Sequence, residues 1–536
     1  MEQYKGKTVL PDIAIGKIWF YPSANQSIMT YTVENCDKEI LRYQEAKEKT
    51  MLSLKESYEQ ALKEVGEMGA SIFEAHQVIL QDEEYSKNIC NLIIQRKINA
   101  ECAIIETQEY YAKIFAGMED EFFKAREADV RDVSKRLLFF LLNHGNKLKM
   151  NQEPAIVVAK DLTPSETIHL EKGKVLGFVT ETGSLSSHTA ILARTMNLPA
   201  LMGIPVQEKW NGRLAALDGE NGILYIDPDE MILDRLRKRQ NEKNSQNHFL
   251  VQMKGKETST KSGKKISLFA NVGSISDIQL ALDNDAEGIG LFRSEFLYMK
   301  RESFPTEEEQ FQQYKTAVEM IGNRKMIIRT MDIGADKTID YFGLKHEENP
   351  AMGFRAIRIC LANPHVFKTQ LRAIYRASVY GDLSVMYPMI TSLKEVGCIK
   401  RLVAEVKEEL AQEGIPFKDI KQGIMIETPA AALISDELAK AVDFFSIGTN
   451  DLSQYTLAID RQNSHLDSFY DPCHPAILKM IQMTVENGHK EGCSVGICGE
   501  LAADTELAEK FIEMGLDEIS VAPGFILPMR AKIRSL

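Results

Sequence analysis

Hydrophobic positions in the first part of the chain change from a strand pattern to a helical pattern and back again. Short runs of strand type lie at 14–20, Ala155–Ala159, Val175–Thr180, Pro199–Met202 and Gly222–Ile226. Between the first two runs, from about 34 to 143, apolar residues recur at helical spacing among Glu and Lys, and proline is absent. We therefore predict an α-helical domain, residues 31–146, inserted into an α/β domain formed by residues 1–30 and 147–228.

The inserted domain is predicted to contain helices at Glu39–Met68, Ile72–Leu80, Tyr85–Gln95 and Glu101–Met118. After the α/β domain, residues 229–258 begin with a highly charged stretch that lacks glycine and proline. This composition predicts a helical linker, and domains joined by exposed linkers move relative to one another by default.

Residues 259–536 alternate between strand-like runs and helical stretches. The strand-like runs are Ile266–Asn271, Gly288–Arg293, Lys325–Met331, Leu383–Tyr387, Gly423–Glu427, Phe444–Gly448, Ser494–Cys498 and Glu518–Ala522. Eight β/α units in about 270 residues have the size of a TIM (β/α)8 barrel, although a doubly wound sheet has the same alternation. We predict a multidomain α/β protein with a C-terminal TIM barrel.

Composition narrows the class of protein. A net charge of −13 argues against nucleic-acid binding and is compatible with a basic protein partner. The longest apolar runs, such as Leu137–Leu142, are too short to cross a bilayer, and the first residues contain no apolar signal segment. The eight cysteines are scattered without a CxxC pair, which favours a reducing, cytoplasmic location.

Charged residues follow the predicted barrel strands, where the active site of a TIM barrel lies. They are Arg293, Glu295, Arg329, Asp332, Glu427, Asp451 and Glu500, with Arg355 and Arg461 in nearby segments. Guanidinium groups bind phosphate and carboxylate in a bidentate manner, and a pair of carboxylates suits a hard cation such as Mg²⁺. The sequence therefore predicts a small phospho-carboxylate substrate bound together with magnesium.

His188 occupies a different position, at the predicted start of a helix after the run Val175–Thr180. Ser186 and Ser187 suit an N-cap, and a helix start offers free N–H groups to a phosphate. A neutral imidazole there can act as a nucleophile and carry a phosphoryl group. A partly buried histidine bonded to neighbouring hydroxyls is the simpler alternative. His76 is interpreted as a structural residue, and Met352 and Met425 as residues of the core.

Several segments, taken in order and spacing, resemble enzyme I of the bacterial phosphoenolpyruvate:sugar phosphotransferase system over nearly the whole chain. They are Gly290–Leu297, Ile328–Gly334, Ile426–Ala431, Phe444–Leu452 and Gly496–Leu501, together with Ala128–Asp132 and Asp161–Ser165. The resemblance implies transfer of a phosphoryl group from phosphoenolpyruvate to a histidine of the phosphocarrier protein HPr, with release of pyruvate, as the first step of sugar uptake. It also implies HPr docking on the helical insert and a homodimer formed through the barrel.

The resemblance also implies roles for individual residues. His188 would be phosphorylated on Nε2, with Thr163 as its hydrogen-bond partner, and Cys498 would donate a proton to the departing enolpyruvate. The substrate-binding residues would be Arg293, Arg329, Arg355, Asn450, Asp451 and Arg461. Glu427 and Asp451 would bind Mg²⁺.

Two alternatives fit part of this pattern. A pyruvate phosphate dikinase or phosphoenolpyruvate synthase shares the phosphohistidine and the barrel, but the residues before His188 contain no glycine-rich phosphate loop for ATP. A catalytically silent regulatory paralogue is disfavoured by the intact set of Arg, Glu, Asp, Cys and His residues.

Overall fold

The computed structural model describes residues 1–21, 30–118, 121–142, 153–160, 162, 173–182, 189, 190, 193, 198–299, 301–334, 339–461 and 463–536; the side chains of 60–71, 121–125, 340, 464 and 467 are not described. These residues divide into two compact units, Met1–Asn244 and Ser245–Leu536.

The helical part of the first unit contains α1 (Cys36–Gln81), α2 (Glu83–Arg96), α3 (Ala100–Ala116) and α4 (Glu121–Leu141). The prediction of two helices between 39 and 80 is wrong, because α1 is continuous over this range. The glycines at 66 and 69 do not end this helix, since a glycine inside a helix costs only about 1 kcal/mol relative to alanine. The helix ends instead at Asp82, whose side chain accepts from the Tyr85 N–H and so begins α2.

His76 lies fully buried in this helical part, as expected of a structural residue. Its Nε2 is 3.3 Å from Oδ1 of Asp129, and its Nδ1 is 3.4 Å from Oδ2 of Asp132. The two carboxylates are on α4, so the imidazole joins that helix to α1.

Among the described residues, the sheet of the first unit has eight strands in the order β1-β8-β7-β3-β4-β5-β6-β2. Their bounds are β1 Glu2–Lys5, β2 Lys7–Leu10, β3 Ile13–Phe20, β4 Ala155–Ala159, β5 Val175–Thr180, β6 Ala200–Met202, β7 Leu214–Asp218 and β8 Ile223–Ile226. Strands β3, β4, β5 and β6 pair in parallel, and β4 is buried throughout, which explains why it appears in the sequence as a continuous apolar run. The helix α5 (Glu230–Val251) follows β8.

The second unit contains a closed parallel barrel, which confirms the predicted fold class. Its strands are β9 Ser267–Val272, β10 Gly288–Arg293, β11 Lys325–Arg329, β12 Asp382–Tyr387, β13 Lys421–Ile426, β14 Phe444–Ile447, β15 Ser494–Ile497 and β16 Glu518–Val521. Strand β16 pairs with β9 and closes the barrel.

Helices surround these strands, and their apolar faces form the main core against the barrel wall. They are α6 Ile275–Asp283, α7 Glu307–Ile321, α8 Ile357–Ala362, α9 Pro364–Ala377, α10 Leu393–Gln412, α11 Pro429–Leu433, α12 Ser435–Ala439, α13 Thr449–Leu457, α14 Pro475–Lys490, α15 Ala508–Met514 and α16 Ile526–Ser535. Met425 is buried inside the barrel, as predicted, but Met352 is 64% exposed, so its assignment to the core is wrong. In the part of the chain that is described, no helix is both long and apolar enough to cross a membrane.

Candidate active site

Arg329 ends β11, and its guanidinium is held between two carboxylates at the carboxyl end of the barrel. Nη2 donates to Oε1 of Glu295 at 2.5 Å, and Nη1 lies 3.1 Å from Oδ2 of Asp332. Glu295 is on the short 3-10 turn that directly follows β10. Burial acts to lower the pKa of Arg329, but the two carboxylates outweigh it and raise that pKa above its ordinary value. The group is therefore charged at every working pH.

Arg355 is the second buried cation of this end of the barrel. Its Nη2 donates to Oδ1 of Asp332 at 2.8 Å, and its Nη1 donates to the hydroxyl of Tyr455 at 3.3 Å. Asp332 thus lies between two guanidinium groups. Because this carboxylate is itself almost fully buried, it holds both arginines in fixed positions.

Some hydrogen-bonding capacity at this end is unused within the described part of the chain. The Nε–H groups of Arg329 and Arg355 are buried donors without an acceptor, and the buried hydroxyls of Thr330, Thr449 and Ser453 also lack partners. A buried unpaired donor costs about 1–3 kcal/mol, so such groups call for an explanation. An anionic ligand with several acceptor oxygens would accept hydrogen bonds from these groups.

Glu427 follows β13 and is fully buried. Its Oε1 accepts from the backbone N–H of Met389 at 2.6 Å, and Met389 has a positive φ of 59°, which is unusual for a residue with a large side chain. A Cβ on Gly448 would lie 2.9 Å from Oε2, so glycine there leaves space for the carboxylate. Burial, and then the charges of Asp451 and Asp332, raise the pKa of Glu427 to about 8.

Asp451 lies in the first turn of α13 and faces two cations. Its Oδ1 accepts from Nη2 of Arg461 at 3.2 Å, and its Oδ2 is 4.0 Å from Nη2 of Arg355. The neighbouring Asn450 is turned to Glu500, since its Oδ1 accepts from the Glu500 N–H at 2.7 Å and its Nδ2 donates to that carboxylate at 3.1 Å.

Glu427 and Asp451 together fit a divalent metal ion by their chemistry. Both offer carboxylate oxygens, which hard cations prefer. Burial, and then the negative charges of Asp451 and Asp332, raise the pKa of Glu427, and a cation would compensate this charge. No group of three or more His, Cys, Asp or Glu side chains suited to a metal occurs within the described ranges. The protein would therefore supply two ligands, as is usual for a magnesium ion that also binds water and substrate phosphate.

Cys498 lies directly after β15 in an apolar cluster inside the barrel. The other members of this cluster are Leu291, Ile327, Met386, Met425 and Phe444. The thiol points to the carbonyl of Ile447 at 3.7 Å. Burial raises the pKa of Cys498 to about 11, against the lowering effects of Ser446 and Arg329. The sulfur therefore carries its proton at neutral pH, as a proton donor must.

The structure brings most of the sequence-predicted barrel residues to one place. Arg329, Arg355, Arg461, Glu427 and Asp451 interact directly or through their charges. Arg293 ends β10 with an exposed side chain that makes no ion pair with another described residue. Its charge nevertheless acts on the Cys498 thiol.

His188 and Thr163 lie outside the described residues. Their chain neighbours are close to each other, because the hydroxyl of Thr189 donates to the carbonyl of Leu162 at 3.0 Å. Ala190 and Ala193 are buried in the apolar cluster that also contains Leu162.

Sequence reasoning missed the supporting groups of this site. Glu295 and Asp332 were recognised as charges but not as the acceptors that fix the arginines, although the spacing Arg329–Asp332 was a usable signal. Tyr455 and the backbone N–H of Met389 gave no signal, since a tyrosine in a helix and a methionine after a strand both indicate packing.

Family models and curated relatives agree on the class of protein. Residues 248–536 match the PEP-binding domain of PEP-utilising enzymes, residues 5–126 match the N-terminal domain, and residues 151–222 match the mobile domain. The phosphoenolpyruvate-protein phosphotransferase of Priestia megaterium is 41% identical over 540 residues, which cover 100% of this chain and 94% of that protein. The protein of the same name from Bacillus subtilis is 40% identical over 100% of this chain and 95% of its own length.

A solution structure of an Enzyme I protein is 34% identical and covers 45% of this chain and 99% of its own, with a TM-score of 0.40. The sequence relationship alone decides the family. The chain belongs to the phosphoenolpyruvate-protein phosphotransferases of the PEP-utilising enzyme family.

Proposed function

We propose that this protein transfers the phosphoryl group of phosphoenolpyruvate to a histidine of HPr through a phosphohistidine at His188, and that it releases pyruvate. The observation that carries the proposal is the pair of buried, charged arginines at the barrel end, Arg329 and Arg355, whose Nε–H donors have no acceptor among the described residues. A phosphate and a carboxylate on one small molecule would supply acceptor oxygens to both. The proposed reaction is the first step of sugar uptake by the phosphotransferase system.

In the proposed reaction, the P–O bond of phosphoenolpyruvate breaks as the P–N bond to Nε2 of His188 forms. The arginines, with Arg293, Arg461 and Asn450, bind the substrate and stabilise negative charge on the transferring group and on the enolate. Cys498 gives its proton to C3 of the enolate, which completes pyruvate, and the thiolate regains a proton from solvent. Thr163 positions the imidazole of His188, and the Thr189–Leu162 hydrogen bond supports their proximity.

A divalent metal fits the carboxylates of Glu427 and Asp451, and we propose Mg²⁺. When bound, such an ion neutralises charge on the phosphoryl oxygens. We further propose that the protein works in the cytoplasm, that HPr docks on the helical part of the first unit, and that the barrel forms a homodimer.

Radiolabelled phosphoenolpyruvate and Mg²⁺, without ATP, test the proposal. Wild-type protein is expected to take up stable label, while His188→Ala takes up none. His248→Ala, which removes an exposed histidine of α5, serves as the matched control and is expected to label like wild type. No label on wild type, or equal label on His188→Ala, would contradict the phosphohistidine.

The second half of the reaction needs the carrier protein. Labelled protein, freed of phosphoenolpyruvate and mixed with HPr, is expected to lose its label to HPr. Retention of all label on the chain in the presence of an active HPr would exclude HPr as the acceptor.

A further inference from the structure

We infer that Tyr455 is a positioning residue that holds the guanidinium of Arg355 ready for the substrate. This inference rests on the proposed function. Tyr455 lies on α13, one helical turn after Asp451, so the two side chains share a face of that helix. The phenol is therefore carried to the same end of the barrel as the charged cluster.

The hydroxyl of Tyr455 makes two hydrogen bonds to oxygen and nitrogen atoms, and it also lies 3.8 Å from Sδ of Met389, a weaker acceptor. It donates to the backbone carbonyl of Ala351 and accepts from Nη1 of Arg355 at 3.3 Å. Because its single proton is used by Ala351, a lone pair is left for the guanidinium. The hydroxyl thus links α13 to the segment that carries Arg355.

The guanidinium of Arg355 is consequently held by two acceptors from two different parts of the barrel domain. Asp332, after β11, accepts from Nη2 at 2.8 Å, and Tyr455 accepts from Nη1. The buried Nε–H has no acceptor within the described residues. A long side chain fixed in this way binds an anion without first losing its own conformational freedom.

The ionisation of Tyr455 agrees with this role. Burial raises the pKa of the phenol above its ordinary value, so the hydroxyl remains a neutral acceptor at working pH. Phenylalanine at this position would keep the ring and its packing but remove both hydrogen bonds.

Direct binding of phosphoenolpyruvate by calorimetry tests the inference, in full-length His188→Ala protein with Mg²⁺ so that no transfer occurs. Tyr455→Phe is expected to weaken binding about tenfold. Tyr387→Phe is the matched control, since it removes the buried bond from Tyr387 to Oε1 of Gln422 and is expected to bind like its parent. Thermal unfolding of both variants reports any general loss of stability.

A double-mutant cycle separates positioning from a merely structural role. Lysine has no guanidinium group for Tyr455 to hold. In Arg355→Lys protein, Tyr455→Phe is therefore expected to weaken phosphoenolpyruvate binding by less than a further twofold. Parent-like binding by Tyr455→Phe, or a full loss that adds to that of Arg355→Lys, would overturn the inference. Absence of binding in the His188→Ala parent would instead contradict the proposed function.

Discussion

The two ends of the barrel both hold charged side chains, but among the described residues of the barrel only the arginines of one end keep buried N–H donors without an acceptor. These arginines are Arg329 and Arg355, at the carboxyl ends of the strands, which we call the mouth. At the opposite end, which we call the floor and define as Phe269, Lys325, Phe444 and Glu518, the two charged side chains are partly buried and pair with each other.

The floor is held together by contacts that need no ligand. Nζ of Lys325 lies 5.2 Å from the ring centre of Phe444, 5.8 Å from that of Phe269 and 3.8 Å from Oε2 of Glu518. A Cβ on Gly290 would lie 2.6 Å from Oε1 of Glu518, so the missing side chain there leaves space for this partly buried carboxylate. The apolar cluster that contains Cys498 includes Phe444 of the floor and lies inside the barrel.

The comparison shows how one fold separates stability from chemistry. In TIM barrels the floor serves stability and the mouth serves catalysis. Here the charges of both ends are paired, but the arginines of the mouth also keep buried Nε–H donors without an acceptor among the described residues. Substitutions at the two ends are therefore expected to affect different measurements.

The largest difference is expected between Arg329→Met, which removes a buried cation of the mouth, and Lys325→Met, which removes a partly exposed cation of the floor. Arg329→Met should lower the rate of labelling by phosphoenolpyruvate about 10² to 10³-fold, because it removes a donor to the transferring group. Lys325→Met should leave labelling unchanged. The measurement is the initial labelling rate per folded molecule, with folding checked by circular dichroism.

Arg329→Met also leaves Glu295 without its cation, and breaking a buried pair costs about 3–5 kcal/mol. Arg329→Lys is therefore measured beside it, since lysine keeps the charge but lacks the planar group that bonds to Glu295 and Asp332 at the same time. It should fold and still label slowly. Equal labelling by the Arg329 and Lys325 variants would remove the distinction between mouth and floor.

The next largest expected effect is a dependence of stability on pH that comes from Glu518 of the floor. Burial raises the pKa of Glu518 from 4.5 to about 7, although Lys325 acts to lower it. Between these values the folded state holds a proton that the unfolded state has released. The stabilisation is therefore complete below pH 4.5 and is lost as the pH rises through 7. At about 1.4 kcal/mol for each unit of pKa, the loss reaches at most about 3 kcal/mol.

Glu518→Gln cannot ionise and should lack this loss. Its free energy of unfolding, relative to that of wild type, should rise between pH 4.5 and pH 8 when measured with denaturant. The exposed Glu513→Gln should follow wild type at every pH. A constant difference between Glu518→Gln and wild type across this range would contradict a buried, protonated floor carboxyl.

The sequence predicted the barrel better than the details of either end. Parallel strands such as β11, which is buried from Met326 to Arg329, appear as short apolar runs, and the charges that end them, such as Arg329, mark the mouth. Contacts such as that of Arg355 with Tyr455, which are 100 positions apart, leave no periodic signal in the sequence. The space that Gly423 provides for the ring of Phe444 is likewise a property of packing and not of local pattern.

The smallest expected difference comes from two glycines, one at each end, that make room for a neighbour. A Cβ at Gly423 would lie 2.3 Å from the ring of Phe444, and one at Gly448 would lie 2.9 Å from Oε2 of Glu427. Each alanine variant should lose about 1–3 kcal/mol of stability, because the added methyl displaces a buried group. The two variants displace different groups, a ring and a carboxylate, and should therefore differ in metal binding.

Gly448→Ala moves a carboxylate of the proposed metal site, whereas Gly423→Ala moves only a ring of the floor. Titration with Mn²⁺, followed by electron paramagnetic resonance, should show metal binding weakened about tenfold, a loss of about 1.4 kcal/mol, in Gly448→Ala alone. Denaturant unfolding should show both variants destabilised to a similar degree. Equal Mn²⁺ affinity in the two variants would mean that Glu427 does not depend on the space beside Gly448, and the mouth would then tolerate crowding as the floor does.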